Sequence, residues 1–251
     1  MALVMYQMLT RRLLNDATFA RCNDFDIRDY VNIARRQVAA VGDCLPAYGV
    51  LEVGPETQQY SFNEIQFPGD RGIVDGIGGA LAIRTLLVQA GEGHKRTFER
   101  AWPWFSTYEL GKVHPKRERP KVWSQYGQGV SGSIFFNKLD GPYRVTVDAR
   151  AYPIDLVDDT TPEAVPALWT DAIPFFAAFY YLQGTGQNPQ LAATMLQGFQ
   201  AMMQAARAGA TPSVQAGDFV GAPDPFAANR FGTGVGQLGR QPRQQTPPTA
   251  A

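Results

Sequence analysis

The sequence predicts an α+β protein in which a four-helix bundle carries an inserted antiparallel β domain and ends in an extended C-terminal tail. Apolar residues recur at helical spacing in 1–46 and again in 160–207, which predicts the two halves of the bundle. Between them, 47–159 consists of short alternating runs broken by glycine, proline and asparagine, as in strands joined by turns. Segment 208–251 is rich in glycine, proline and glutamine and has too little apolar content to fold by itself.

The first half of the bundle is predicted to hold two helices. One covers 3–15, where leucine and methionine residues recur at helical spacing. The second begins near Asp26, with Asp24 and Asp26 as candidate N-caps, and ends at Gly42, a residue type common at helix C-caps. Neither this pair nor the later pair covers its own apolar stripe, so the two halves are expected to pack together.

The β domain is predicted from four strand-like runs, at 60–62, 83–88, 134–136 and 143–147. The last run has the clearest alternation: one face carries Tyr143, Val145 and Val147, and the other carries Arg144, Thr146 and Asp148. The three glycines of 76–79 predict a tight turn or a bulge rather than a phosphate cradle, because no Lys-Ser/Thr pair follows them.

The second half of the bundle is predicted from a third helix that opens at Pro162 and is kinked by Pro174, and a fourth that runs from about Pro189 to Arg207. The residues of the fourth helix expected to point inward are Leu191, Met195, Leu196, Phe199, Met202 and Met203. Aromatic residues on the apolar faces are expected in the core of the bundle, namely Trp169, Phe176 and Phe199.

The charge balance is neutral. There are 23 Lys and Arg residues against 23 Asp and Glu residues, so nothing global indicates a nucleic-acid binder or a membrane-surface binder. Two cysteines, Cys22 and Cys44, are too few for a disulfide framework and are expected to be free thiols. No secretory signal and no run near the roughly 20 apolar residues of a membrane span is found, so we expect synthesis in a cytosol and no membrane partner.

Catalytic motifs are weak, and we expect no enzyme activity, no cofactor and no bound metal. The GxGxxG match at 234–239 lies in the Gly/Pro-rich tail and not between a strand and a helix. His94 and His114 have no partner at metal-ligand spacing, although a catalytic Cys-His pair, being spatial, stays open. The acidic residues Asp155, Asp158 and Asp159 precede the third predicted helix; we interpret them as a helix-entry charge cluster rather than an acid/base pair.

One basic segment, 112–121, stands out from the rest of the chain. Its cations are Lys112, Lys116, Arg117, Arg119 and Lys121. The segment is interpreted either as a solvated loop or as a contact with an acidic partner surface or DNA phosphates.

The tail carries isolated aromatic residues. Phe219, Phe226 and Phe231 lie in an otherwise polar segment, as expected for a peptide that binds a partner, and the alternative is a solvated chain end.

Two stretches carry a resemblance to a known family. The first is Asp26–Val38, in which Tyr30, Asn32 and Arg35 recur along one helix. The second is a series of short motifs in a fixed order: Trp102–Phe105, Pro120–Trp123, Ile134–Phe136, Tyr143–Val147, Ala151–Leu156 and Val165–Trp169. Together they resemble the head-to-tail adaptor family of tailed bacteriophages, also called tail tubular or head-completion proteins, over about residues 5–205. The acidic linker at 155–163 is longer than the family pattern, and the tail matches no family motif.

The resemblance implies a helical bundle plus a β domain, and a ring with the portal's rotational symmetry, twelve-fold in that family. Such a ring joins the portal protein to the tail nozzle or the next tail ring in the virion neck, and helps to retain packaged DNA. On this interpretation the tail residues Phe219, Phe226, Arg230, Phe231 and Arg240 bind the portal or a neighbouring subunit, and the basic segment faces a partner or the DNA channel. The alternatives are another neck or tail ring protein, such as a stopper or nozzle subunit, and a virion enzyme such as a cell-wall hydrolase.

Overall fold

The computed structural model describes residues 2–16, 22–67, 76–90, 93–113, 115–186 and 188–210. His114 and the whole predicted tail from residue 211, with its GxGxxG match and the residues Phe219, Phe226, Arg230, Phe231 and Arg240, lie outside the described residues. What the sequence predicts for them stays a prediction.

The two N-terminal helices are α1, Ala2–Leu13, and α2, Asp24–Gly42. The predicted N-caps of α2 are wrong by one residue or more: the cap is Asn23, whose side-chain oxygen accepts the Asp26 backbone N–H at 2.7 Å. Gly42 is the last helical residue, and the residue after it, Asp43, takes the left-handed conformation with φ 51°. A glycine is required at 42 because a Cβ there would lie 2.7 Å from the Trp169 ring.

Two four-stranded sheets follow. The first has the order β1-β8-β3-β4, with β1 Pro46–Val53, β3 Ile77–Ala90, β4 Gly93–Arg96 and β8 Tyr143–Pro153, all antiparallel. The second has the order β2-β7-β6-β5, with β2 Gln59–Ser61, β5 Phe98–Glu99, β6 Val122–Tyr126 and β7 Ser133–Phe136. The β5–β6 pair is parallel, so the second sheet is mixed and departs from the predicted antiparallel domain.

The four predicted strand runs all lie in or against these strands. Phe62 is the exception at the residue level, since it begins a 3-10 turn over Phe62–Glu64. The alternation in β8 is confirmed for Val145 and Val147, which are fully buried, but Asp148 on the opposite face is buried too. The predicted glycine turn is confirmed: Gly76 has φ 97°, and the β3–β8 register shifts between Ile77 and Gly79.

The third predicted helix starts later than expected. The chain is not helical at Pro162; α4 is Ala167–Thr170, α5 is Ala172–Thr185 and α6 is Pro189–Gly209. Helix α4 stops at Thr170 because Pro174 has no N–H to donate to the Thr170 carbonyl and its ring crowds that carbonyl. The predicted fourth helix is confirmed, with Asn188 as its N-cap.

The helices share one hydrophobic cluster, and the sheets enclose another. Helices from both halves of the chain contribute to the first, which confirms that the halves pack together. Trp169 and Phe199 are buried in it as predicted, but Phe176 is only half-buried and Met202 is exposed. A third, small cluster of alanines with Leu45 joins α2 to β1 and β8. The α+β class is confirmed, and residues up to Ala210 form one compact unit.

A candidate interaction surface and the junction behind it

A buried polar junction joins α2 to the segment that follows β8. Arg35 is fully buried, and its guanidinium donates to the Glu163 carboxylate at 2.8 and 3.0 Å and to the Ile154 carbonyl at 2.6 Å. Asn32, one turn earlier on the same helix face, donates to the Leu156 carbonyl at 3.2 Å and accepts the Leu156 N–H at 2.8 Å. The junction thereby fixes the path of 154–163 across α2.

The junction is costly to disrupt because both of its charged groups are largely removed from water. Glu163 also accepts the Val165 backbone N–H at 2.8 Å, so its carboxylate is held by side chain and backbone together. The Tyr6 hydroxyl lies beside it: burial, and then the Glu163 charge, raise the pKa of Tyr6. Charges that are paired and hydrogen-bonded in this way are tolerated inside a protein, whereas a single remaining charge is not.

The acidic residues before the third predicted helix act separately rather than as one helix-entry cluster. Asp155 pairs with Arg36 at 2.5 Å. Asp158 accepts hydrogen bonds from Thr160 and Thr161, which lower the pKa of its carboxyl. Asp159 accepts the Val4 backbone N–H at 3.1 Å and so lies at the N-terminal end of α1. The interpretation as an entry cluster for the third helix is therefore wrong, and the favourable dipole position belongs to α1.

The predicted basic segment is partly neutralised by nearby acids. Lys112 pairs with Glu109 at 2.8 Å, and Lys121 pairs with Glu118. Lys116 and Arg117 are exposed, and within the described ranges no ion pair involves either of them. The hydrogen bond to Asp140 raises the pKa of the Tyr143 hydroxyl. Arg119, which is half-buried, lies close enough for its charge to offset part of that rise.

The backbone of this segment is anchored to the second sheet. The Asn137 side chain accepts the Lys121 N–H at 2.9 Å and donates to the Arg119 carbonyl at 3.1 Å, and the Glu118 N–H donates to the Lys138 carbonyl at 3.0 Å. Lys116 and Arg117 are thus presented from a segment whose C-terminal part is fixed.

An exposed aromatic surface, which the sequence analysis did not identify, precedes the basic segment. Helix α3, Trp102–Phe105, packs on the second sheet through buried Phe105 and through Trp102, whose ring centroid is 4.6 Å from that of Phe135. The Trp104 ring contacts other side chains: the Arg100 guanidinium lies over it at 5.4 Å, and the centroid of the Tyr108 ring is 5.4 Å from its own. Trp104 and Tyr108 are both exposed, and the π-helical turn Ser106–Leu110 sets their spacing.

An open groove of about 670 Å³ lies between α2 and the first sheet. Its walls are mainly apolar, with the Arg36–Asp155 ion pair at the rim. Gly78 forms part of one wall, and a Cβ at that position would lie 2.8 Å from the Tyr152 ring. The groove has the size of a ligand pocket.

The described thiols and the described histidine lie in different environments. Both thiols are buried, and burial raises the pKa of Cys22 to about 11 and that of Cys44 to about 12, so neither is a ready thiolate. His94 is exposed on β4. Among the described residues, no three His, Cys, Asp or Glu side chains come together as metal ligands.

Within the described ranges, none of the helices has the length and hydrophobicity that crossing a membrane requires. The chain matches no protein-family model, and no curated protein matches it.

Proposed function

We propose that the protein is a virion structural protein, a head-to-tail adaptor that forms a ring between the portal and the tail of a tailed bacteriophage. The observation that carries the proposal is the buried junction. The two stretches that resemble the adaptor family are separated by more than 60 residues in the chain, yet Asn32 and Arg35 of the first bind directly to the segment containing Ile154 and Leu156 of the second. The contact supports the proposal because it brings the two stretches together in the fold.

The chemistry of the described surface agrees with a binding role. Its unusual features are exposed aromatic rings, Trp104 and Tyr108, and the exposed cations Lys116 and Arg117, all of which suit contact with another macromolecule. In this proposal α1, α2, α5 and α6 act as the four-helix bundle, and the two sheets act as the inserted domain.

The proposed partners follow from the family. A twelve-fold ring of this chain would meet the portal on one side and the nozzle or next ring on the other, in the virion neck, after synthesis in the host cytoplasm. The basic segment would face a partner or the packaged DNA in the channel, and the C-terminal tail would bind the portal or a neighbouring subunit.

The test is assembly with portal rings. The full chain is mixed with purified portal protein encoded in the same phage genome, and the products are followed by sedimentation and negative-stain microscopy. We expect a portal ring that gains one further ring of density containing this chain. If the chain never co-sediments with portal rings but instead binds a purified tail ring, the stopper or nozzle alternative replaces the proposal. If it binds neither, the adaptor proposal is refuted.

A further inference from the structure

Helix α1 buries Leu3 and Tyr6 in the helical core but leaves a second apolar face exposed. On that face Val4, Met5 and Met8 are 45%, 43% and 51% exposed, whereas the polar residues Thr10 and Arg11 are only 1% and 4% exposed. A helix on the surface of a protein normally turns its apolar residues to the core and its polar residues to water. The outward stripe Val4–Met5–Met8 is therefore a surface that another apolar surface would be expected to cover.

The charged residue on the inner face of α1, Arg11, has specific partners. The Arg11 guanidinium pairs with Asp16 at 3.2 Å and with Asp24 at 2.6 Å, and donates to the Cys22 carbonyl at 2.9 Å. The inner face is thus fixed by ion pairs, and α1 cannot rotate to bury its stripe without leaving the Arg11 charge unpaired.

The two ends of the stripe carry opposite charges. The Val4 N–H bond to Asp159 places the exposed acids Asp158 and Asp159 at the N-terminal end of α1. Arg12 is exposed at the other end, eight residues beyond Val4, which is about 12 Å along a helix. No ion pair of Arg12 occurs within the part of the chain that the structure describes.

An apolar groove of about 310 Å³ runs beside the stripe, between α1, α5 and α6. Five apolar residues line it, Leu9, Leu13, Pro174, Phe175 and Met202, together with the charged residues Arg12 and Asp171. Projecting apolar side chains and a recess that can receive them therefore lie next to each other on one face.

We propose that two copies of the chain pair through this face about a two-fold axis, with their α1 helices antiparallel and Met8 against Met8 at the axis. Residues four before and four after Met8 then face each other, so Arg12 of each copy lies opposite the Asp158–Asp159 end of the second copy. The stripe of each copy then packs against the stripe of the other, which is the self-complementary arrangement that a two-fold interface requires. Such a pair closes on itself and differs from the head-to-tail contact of a ring, so this inference stands independently of the proposed function.

The first experiment uses Met8→Cys in the full chain, because only a two-fold pair brings the same residue of two copies together. With copper–phenanthroline as oxidant, Met8→Cys should give a disulfide-linked dimer on non-reducing gels. The native Cys22 and Cys44 are buried and should stay unlinked. Val130→Cys, at another exposed apolar residue far from α1 in the chain, is the matched control and should stay monomeric on the gel. A Met8→Cys protein that links no faster than Val130→Cys overturns the proposal.

The second experiment tests the charge pairing by analytical ultracentrifugation of the full chain. Arg12→Asp and Asp158→Arg should each raise the dimer dissociation constant about tenfold, since two such contacts occur per dimer, and the double variant should recover most of the loss. A double variant weaker than both single variants contradicts the antiparallel register. Sedimentation with phosphatidylglycerol vesicles is run in parallel. A chain that stays monomeric and binds the vesicles, but loses that binding in Met8→Glu, would show that a membrane surface covers the stripe and would overturn the pairing.

Discussion

Glu163→Gln should be among the most destabilising conservative substitutions in the protein. The change keeps the size of the side chain but leaves the Arg35 guanidinium fully buried beside a neutral amide. Arginine does not lose its proton in proteins, so it cannot escape the cost by titrating. Removing one partner of a buried ion pair costs about 3–5 kcal/mol. For a chain of this size that corresponds to a fall in Tm of about 6–20 °C.

A matched control lies on the same linker. Asp155→Asn makes the same carboxylate-to-amide change, but the Arg36–Asp155 pair has side chains 48% and 50% exposed, so its loss should cost at most about 1 kcal/mol. Both variants are compared with the parent by urea unfolding, read from tryptophan fluorescence and circular dichroism. The expected result is a large drop in the midpoint for Glu163→Gln, little change for Asp155→Asn, and equal slopes for all three proteins.

The reasoning fails if the two variants lie within about 1 kcal/mol of each other. A small effect of both would mean that water reaches Arg35 and that the junction is open in solution. A large effect of both would mean that the path of the linker, rather than the buried charge, determines the stability.

Four further outcomes are expected. Phe199→Ala, which empties a buried site, should cost about 3–5 kcal/mol in urea unfolding, and Phe176→Ala should cost less because Phe176 is half-buried; the reverse order would contradict the assigned core. Burial raises the pKa of Asp148, so at a pH above that raised value the ionised carboxylate lowers the stability of the folded protein. This cost disappears below the ordinary Asp pKa of about 3.9, where the group is protonated in both the folded and the unfolded state. Asp148→Asn should therefore stabilise the protein at pH 7, and the gain should fade towards pH 3. Serine at both Lys116 and Arg117 should weaken attachment to the tail or retention of DNA in assembled particles, with a salt-dependent loss if phosphates are bound, and unchanged particles would favour the solvated loop. Truncation directly after Gly209, the last residue of α6, should leave the melting temperature unchanged but abolish docking on portal rings. Docking equal to that of the full chain would show that the tail is dispensable.

Local patterns predicted the long elements well and their starts less well. The periodicity of α2 and α6 extends over 19 and 21 residues, which is enough to define a face and a length. The predicted start of the third helix was wrong because it rested on Pro162. A proline fits the first turn of a helix and the extended segment found there equally well. What decides the outcome is Glu163, which is held by Arg35 from 128 residues away. No local pattern contains such a contact.

The candidate surface was predictable only in part. The pairing of Lys112 with Glu109 and of Lys121 with Glu118 follows from a spacing of three residues that the sequence displays openly. The exposure of Trp104 could not be predicted, since a tryptophan in a run of aromatic residues is more often buried. The exposed apolar stripe of α1 was also hidden, because apolar residues occur on all sides of that helix and periodicity alone does not tell which side faces the core.

The junction and the proposed binding surfaces place different demands on the sequence. Asn32, Arg35 and Glu163 determine how the linker crosses α2. Asn32 and Arg35 are buried and Glu163 is largely buried, so these side chains offer little surface to a partner. The stripe on α1 and the exposed cations of the basic segment contribute little to the fold, because they lie in water. Substitutions in the junction should therefore lower the stability of the fold, and they should reduce assembly only because the chain unfolds. Substitutions such as Met8→Glu should reduce assembly without changing the stability. If Met8→Glu instead melts well below the parent protein, the outer face of α1 is packed within a single chain.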